Sequence, residues 1–301
     1  MRPFLFRLPE WLGQVPDWVP LLGGNQLGGK PLFSYGMMLG TGIVMAWILT
    51  FFLVEKLGVD RLKLRRTVIA SLVGAIIGAR ALFFIASSPE QFSLATFFRF
   101  EEGGLVAYGG FLGGILVSIP MAMKEKLGWW NAADAVAPGL LLATGITRIG
   151  CFLFGCDFGQ PLDSPISLHY PEWDIASVGP WIFGSAPSYT QEFGKLMDAT
   201  TPVYTSALWP TQLMMSLKGF TGFALIMLWM PYRRFQGQMM LVFLAWYAVV
   251  RFLVEIVRGD KIRGTETLGL PLSTSQFVAV VIVLVVIPLW IYLSRTKRIV
   301  A

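Results

Sequence analysis

Seven apolar stretches, each about as long as a bilayer-spanning helix, constrain this 301-residue chain more than any other feature. A helix needs about 20 apolar residues to cross the hydrocarbon core. Only 14% of the residues are charged, against roughly 25% in a soluble domain, so lipid must surround much of the chain. The sequence therefore predicts an all-α polytopic membrane protein with about seven transmembrane helices, at roughly residues 33–54, 67–86, 104–123, 132–153, 208–230, 237–257 and 273–294.

The basic residues fall in alternate connections between these stretches. When seven helices are threaded, all of these connections lie on one side, which the positive-inside rule assigns to the cytoplasm. We therefore expect the N-terminus outside and the C-terminus in the cytoplasm. The net charge of +6 reflects this topology, so no nucleic-acid partner is expected. The positions are Lys56, Arg61, Lys63, Arg65, Arg66, Lys124, Lys126, Arg233, Arg234, Arg295, Lys297 and Arg298.

The chain divides into four parts. Residues 1–31 are predicted to form an external N-terminal arm, since they lack the continuous apolar run of a signal peptide. Residues 32–153 hold the first four helices. Residues 154–207 carry mostly acidic charges and are too long for a plain connector, so we expect a small external head domain there. Residues 208–301 hold the last three helices and a cytoplasmic tail.

Polar residues inside the apolar stretches are candidates for function, because an intramembrane charge costs at least about 2.5 kcal/mol on insertion scales. Asp134, at the start of the fourth stretch, can be read as a helix N-terminal charge or as the partner of an arginine. On the threaded topology, six other polar residues fall in the outer halves of six different helices, which predicts one polar site at the depth of the outer leaflet. These residues are Tyr35, Arg80, Tyr108, Arg148, Gln212 and Arg251.

Three charged residues of the sixth stretch share one helix face. Arg251, Glu255 and Arg258 have the spacing i, i+4, i+7, so Glu255 can hold the guanidinium of Arg251. Several arginines at this depth suit an anionic phosphate, because a planar guanidinium binds it through paired hydrogen bonds. A phospholipid headgroup is the anion found at that depth. Snorkelling of Arg258 to the interface and a structural ion pair for Arg80 are the alternatives.

The sequence contains two cysteines and one histidine, too few for a zinc site with about four such ligands. Cys151 and Cys156 can serve as small packing residues or can form a disulfide on the oxidising side of the membrane. No cofactor, metal or organic, is expected.

Several short motifs follow one another in order over about residues 33–260. They are Tyr35-Gly36, Gly78-Ala79-Arg80, the glycine-rich segment 103–114, the segment 148–159 that begins with Arg148, Pro210-Thr211-Gln212-Leu213, and the stretch from Arg251 to Arg258. In this combination the chain resembles the phosphatidylglycerol–prolipoprotein diacylglyceryl transferase family.

The resemblance implies a seven-helix enzyme of the bacterial plasma (inner) membrane. Such an enzyme transfers the diacylglyceryl group of phosphatidylglycerol to the lipobox cysteine thiol of a preprolipoprotein signal peptide, releasing glycerol phosphate. Arg148 and Arg251 would bind and polarise the lipid phosphate, and Tyr108 is a candidate for the thiol proton. The resemblance further implies supporting roles for Asp134 and Cys151. Substrate contacts are implied for Tyr35, Arg80, Gly104, Gly109, Gly110, Gln212, Glu255 and Arg258.

The chain departs from the family pattern at four positions. Many members have His where Tyr108 stands, Asn at Cys151, His at Trp209 and Glu near Met215, so polar groups are missing around the expected site. Two other functions are therefore kept as alternatives. One is a divergent paralogue that acts on another lipid or acceptor, and the other is a non-catalytic phospholipid-binding or transport protein.

Overall fold

The computed structural model describes residues 4–7, 31–86, 89–98, 104–168, 207–259 and 271–299. Two short antiparallel strands, β1 (Phe4–Arg7) and β2 (Pro31–Phe33), precede the helices. The described helices are α1 (Ser34–Lys56), α2 (Arg61–Ala86), the short α3 (Leu94–Phe97), α4 (Ala107–Lys124), α5 (Trp129–Phe154), α6 (Thr211–Trp229), α7 (Gln238–Ile256) and α8 (Thr274–Thr296).

Of the eight α-helices in these ranges, seven are long and apolar enough to cross a membrane, and only α3 is too short. The prediction of an all-α polytopic membrane protein is confirmed, since β1 and β2 together cover only a few residues. Most of the predicted head (residues 169–206) and most of the predicted N-terminal arm lie outside the described residues. The division of the chain into four parts therefore stays a prediction.

The second helix begins at Arg61, earlier than the apolar stretch that started near residue 67. Its first turn is stabilised by Asp60, whose Oδ1 accepts hydrogen bonds from the backbone N–H groups of Leu62 (2.9 Å) and Lys63 (3.0 Å). The hydrogen bond from the Lys63 backbone also lowers the pKa of Asp60. Hydropathy detects only the length of a helix that lies inside the membrane, so it does not predict a charged first turn at the interface.

Helices α2 and α4 pack backbone against backbone through glycines. A Cβ atom on Gly78 would lie 2.3 Å from the carbonyl oxygen of Gly109, and one on Gly113 would lie 2.2 Å from that of Gly74. Side chains at these positions would force the helices apart. Small residues at a transmembrane interface allow this close approach, which gives the helices dispersion contacts that lipid does not provide.

Helix α5 lies at the centre of the bundle and packs against α1, α6 and α7. Its contact with α6 is again close, since a Cβ on Gly219 would lie 2.4 Å from the backbone nitrogen of Gly145. The Ser216 hydroxyl donates to the Gly145 carbonyl (2.8 Å) in the same contact. The position of α5 matters because it carries Arg148 in its last two turns.

The segment after α5 is bound to the ends of two other helices by backbone hydrogen bonds. The Gln160 N–H donates to the Val257 carbonyl (2.9 Å), and the Trp209 N–H donates to the Gln160 carbonyl (3.0 Å). These bonds hold residues 155–160 between the C-terminal end of α7 and the N-terminal end of α6. The turn that follows Arg148 is thereby placed over the interior of the bundle.

Candidate active site

The carboxylate of Asp157 pairs with two arginines. Helix α5 ends at Phe154, its capping residue Gly155 has the left-handed conformation (φ 83°), and Asp157 has φ 59°. This turn points the Asp157 carboxylate back at Arg148, with which it forms an ion pair, and its Oδ1 lies 2.5 Å from Nη2 of Arg258. A non-glycine residue with positive φ costs free energy, and such residues concentrate at functional sites.

Glu255 is the second carboxylate of the site. Its Oε2 lies 2.8 Å from Nη2 of Arg251 and 3.8 Å from Nε of Arg258, and its Oε1 accepts a hydrogen bond from Ser273 Oγ (2.9 Å). The structure thus brings together Arg251, Glu255 and Arg258 as their spacing predicted. Because Arg258 contacts both carboxylates, the ion pairs form one continuous chain from α5 to α7.

A hydroxyl pair extends this chain to α8 and α4. Nη2 of Arg251 donates to Ser275 Oγ at 2.8 Å, and the Tyr108 hydroxyl lies 3.1 Å from the same oxygen. Arg251 and Ser275 are buried, at 4% and 1% exposure, so the arginine keeps little contact with solvent. Tyr108 therefore reaches the arginines through Ser275. We refer to Tyr108, Ser275, Arg251, Glu255, Arg258, Asp157 and Arg148 as the polar chain.

Two further predicted residues lie beside the polar chain. The Gln212 side chain is fully buried and donates from Nε2 to the Cys156 carbonyl (2.7 Å), so it holds the turn that carries Asp157. The backbone of Tyr35 packs against Gly150, two residues after Arg148, and Tyr35 is 38% exposed. The starts of α1 and α6 are therefore at the same end of the bundle as Arg148.

Cys151 and Cys156 are free thiols next to the first ion pair. The Cys151 Sγ lies 3.7 Å from both Asp157 Oδ2 and Arg148 Nη1. A hydrogen bond with Cys151, together with burial, raises the pKa of the Cys156 thiol well above its ordinary value. Cys156 thus serves as a neutral packing group, and Cys151 is a buried neighbour of the ion pair.

The ligand atoms of Cys151, Cys156 and Asp157 lie within 4.8 Å of one another, a spacing that a metal ion could bridge. The Asp157 carboxylate is already engaged by Arg148 and Arg258. Two guanidinium groups at this distance repel a divalent cation, so the group fits an anion site better than a metal site.

Arg80 holds the loop between α2 and α4. Its guanidinium donates to three backbone carbonyls, those of Thr96 (2.7 Å), Phe97 (3.2 Å) and Gly104 (3.2 Å). It also lies over the ring of Phe84, 4.8 Å from the centroid. These contacts anchor the exposed aromatic segment around α3 to the end of α2.

The predicted glycines are placed by the same loop and by helix packing. Gly104 has φ +76°, a conformation that a side chain would strain, and its carbonyl accepts from Arg80. Gly109 is in backbone contact with α2, whereas a Cβ on Gly110 would make ordinary contacts, 3.5 Å from the Ala75 carbonyl.

Asp134 lies at the other end of the bundle. It is fully buried, 14 positions before Arg148 and so roughly 21 Å away along α5. Its carboxylate accepts from Arg233 Nη1 (2.9 Å) and from the backbone N–H groups of Gly237 (2.8 Å) and Met240 (3.0 Å). The structure thus places Asp134 as the partner of an arginine and of the α7 N-terminus.

Sequence reasoning missed three residues near the polar chain. Asp157 was grouped with the acidic charges of the head, although its place two residues before the end of the 148–159 motif was a usable signal. Ser275 carries no sequence signal of its own. Lys218 is a buried charge in an apolar stretch, with 2% exposure, and it met the same criterion that selected the arginines.

Comparison with known proteins places the chain among membrane-bound transferases. The family model for prolipoprotein diacylglyceryl transferase matches residues 25–292. A phosphatidylglycerol–prolipoprotein diacylglyceryl transferase 2 of Clostridium perfringens is 31% identical over 86% of this chain and 90% of the relative. Phosphatidylglycerol–prolipoprotein diacylglyceryl transferases of Clostridium tetani (28% identity, 86% of this chain, 92% of the relative) and Bacillus mycoides (29%, 91% and 92%) are similar along nearly their whole length.

Proposed function

The chain belongs to the prolipoprotein diacylglyceryl transferase family, and on that premise we propose that its reaction takes place at the polar chain. The enzyme transfers the diacylglyceryl group of phosphatidylglycerol to the lipobox cysteine thiol of a preprolipoprotein, in lipoprotein biosynthesis. The observation that carries the proposal is the chain of ion pairs that joins Arg148, Asp157, Arg258, Glu255 and Arg251.

The reaction develops negative charge where these arginines lie. The thiol sulfur attacks the glyceryl carbon that carries the phosphate ester, a C–S bond forms, and the C–O bond breaks with both electrons on the phosphate oxygen. The phosphodiester monoanion becomes glycerol phosphate, a dianion, and the thiol proton is released. Fixed guanidinium groups in a buried site stabilise such a leaving group without reorganising at the moment of reaction.

Arg148 and Arg251 are the residues that we assign to the phosphate. Each is oriented by one carboxylate, Asp157 or Glu255, and this pre-organisation lowers the cost of ordering the guanidinium when lipid binds. Arg258 joins the two carboxylates. Tyr108 contacts the polar chain through Ser275. We assign its hydroxyl to a hydrogen bond with the lipid headgroup or with the thiol of the peptide.

We further assign this end of the bundle to the outer leaflet of the bacterial plasma membrane. The basic connections lie at the other end, where Arg66 pairs with Glu125 (3.5 Å) and Arg233 pairs with Asp134. By the positive-inside rule that end faces the cytoplasm, which leaves the polar chain beside the external headgroups. Phosphatidylglycerol and the signal peptide of the preprolipoprotein would then enter from the bilayer.

The test is transfer by the purified full-length protein. Phosphatidylglycerol and a lipobox peptide are incubated with the enzyme, and the peptide mass is followed by mass spectrometry. A diacylglyceryl mass gain is expected, with a loss on the order of 10²–10³-fold in Arg148→Ala and Arg251→Ala, the size seen when one charge-stabilising donor is removed. Arg61→Ala is the matched control, because Arg61 is an exposed arginine at the basic end.

Two outcomes would contradict the proposal. Full transfer by folded Arg148→Ala and Arg251→Ala would place the chemistry elsewhere. Hydrolysis or turnover of phosphatidylglycerol without a mass gain on the peptide would point to a different acceptor.

A further inference from the structure

Lys218 is a buried cation at the centre of the bundle. It lies in α6, six positions after Gln212 and so about 9 Å deeper along the helix axis. Its exposure is 2%, so the side chain does not snorkel to the interface. Among the residues that the structure describes, no group accepts a hydrogen bond from its Nζ. A charge in this position is costly unless something pairs with it.

An aromatic ring contacts the Lys218 amine, and two arginines lie within electrostatic range of it. Nζ lies 3.6 Å from the centroid of the Tyr247 ring, which offsets part of the desolvation cost through a cation–π contact. Tyr247 and Arg251 are spaced i, i+4 on α7, so the ring lies one helical turn deeper than the arginine. Both Arg251 and Arg148 are close enough to act electrostatically on Lys218. The electrostatic neighbours of Lys218 therefore carry the same sign of charge as its protonated form.

The charges of this region do not balance. Arg148, Arg251 and Arg258 supply three positive charges against the two negative charges of Asp157 and Glu255, and a protonated Lys218 would raise the net charge from about +1 to about +2. Each carboxylate is paired with arginines, so Lys218 has no described counter-ion. A bound anion would offset this excess of positive charge and would favour the protonated form of Lys218.

We propose that Lys218 is a third phosphate-binding cation, which holds the lipid phosphate from its membrane-interior side and retains the glycerol phosphate dianion as it forms. The inference rests on the proposed function. An excess of about two positive charges matches a phosphate monoester, which carries close to two negative charges, better than it matches the single charge of a phosphodiester. The contribution of Lys218 therefore grows as the C–O bond breaks, and an interaction of that kind raises the rate of the chemical step.

Three substitutions at this position separate charge from shape. Lys218→Met keeps the apolar length and removes the charge, Lys218→Gln keeps a polar end without charge, and Lys218→Arg keeps the cation. Leu217→Met is the control for disturbance of the helix, because Leu217 faces lipid at 64% exposure. Since Lys218→Met removes a buried amine that has no hydrogen-bond acceptor among the described residues, the ligand-free protein is expected to melt at a higher temperature.

Binding and transfer are measured separately on the full-length protein. Binding is followed by the thermal shift that glycerol phosphate produces and by its inhibition of transfer. In Lys218→Met and Lys218→Gln we expect glycerol phosphate to bind at least tenfold more weakly, or about 1.4 kcal/mol, with transfer reduced by a similar or larger factor. Lys218→Arg is expected to retain both within a few-fold, and Leu217→Met to match the unmodified protein.

Wild-type affinity for glycerol phosphate in folded Lys218→Met and Lys218→Gln would overturn the inference. So would Lys218→Arg that binds glycerol phosphate normally but has lost transfer, since the lysine would then be a proton acceptor. If the unmodified protein binds glycerol phosphate through Lys218 and modifies no peptide, the anion site stands and the proposed transferase reaction fails.

Discussion

Asp157 and Arg258 form an ion pair across 101 positions of the sequence, with Oδ1 and Nη2 2.5 Å apart. The pair joins the turn after α5 to the end of α7 and aligns the arginines of both helices on one site. Arg148 shares the same carboxylate. The position of the candidate phosphate-binding groups therefore depends on a contact between distant segments.

Asp157→Asn is expected to lower both stability and transfer. The substitution keeps the shape of the side chain but leaves Arg148 and Arg258 without their shared counter-ion. Breaking a buried ion pair costs roughly 3–5 kcal/mol, and the 20% exposure of this carboxylate places the effect near the lower end. Thermal melting in detergent and the transfer assay are the measurements. Asp163→Asn, an exposed carboxylate of the same segment, is expected to change neither; equal melting of the two variants would contradict the prediction.

Tyr108→Phe and Ser275→Ala are expected to have similar, non-additive effects on transfer. Their hydroxyls lie 3.1 Å apart and act on Arg251 through one path. Tyr108→Phe removes one hydrogen bond, and Ser275→Ala removes that bond and the one from Arg251, so transfer is expected to fall about fivefold in the first variant and about tenfold in the second. The double variant is expected to fall no further, because coupled residues do not contribute independently. Multiplied effects in the double variant would show that Tyr108 acts on substrate independently of Ser275.

Asp134→Ala is expected to destabilise the protein without changing the transfer rate per folded molecule. The carboxylate is fully buried and satisfies Arg233 and two backbone N–H groups at the start of α7. Its removal is expected to cost about 3 kcal/mol. Glu125→Ala is the control at the same end, since its pair with the exposed Arg66 contributes about 1 kcal/mol or less. A selective loss of transfer in well-folded Asp134→Ala would argue for a role in catalysis.

Cys156→Ser is expected to keep transfer within about twofold, because the nucleophile belongs to the substrate. The raised pKa keeps the Cys156 thiol protonated at neutral pH, so alkylation by iodoacetamide is expected to accelerate only as the pH rises above the ordinary thiol range. The unfolded protein, in which the shift is lost, provides the reference profile. Rapid alkylation of the folded protein near pH 7 would contradict the assignment.

Much of the architecture could be predicted from the chain alone. The seven spans and the shared face of Arg251, Glu255 and Arg258 follow from run length and helical spacing. The pairing of Gln212 with the Cys156 carbonyl and of Arg80 with the loop at Thr96 and Gly104 did not follow. Each of these contacts depends on how a loop folds back over a helix end, which no local pattern encodes.

The sequence by itself determined which segments enter the membrane, because the free energy of transfer into lipid depends on local composition and length. It also determined that several of these helices carry polar residues near one end. Only the tertiary structure decided which charges pair, because pairing depends on helix rotation and on glycine contacts that set the distances between helices. For that reason the sequence alone does not reveal that Asp157 pairs with Arg148 and Arg258. Nor does it reveal that Lys218 has no described counter-ion.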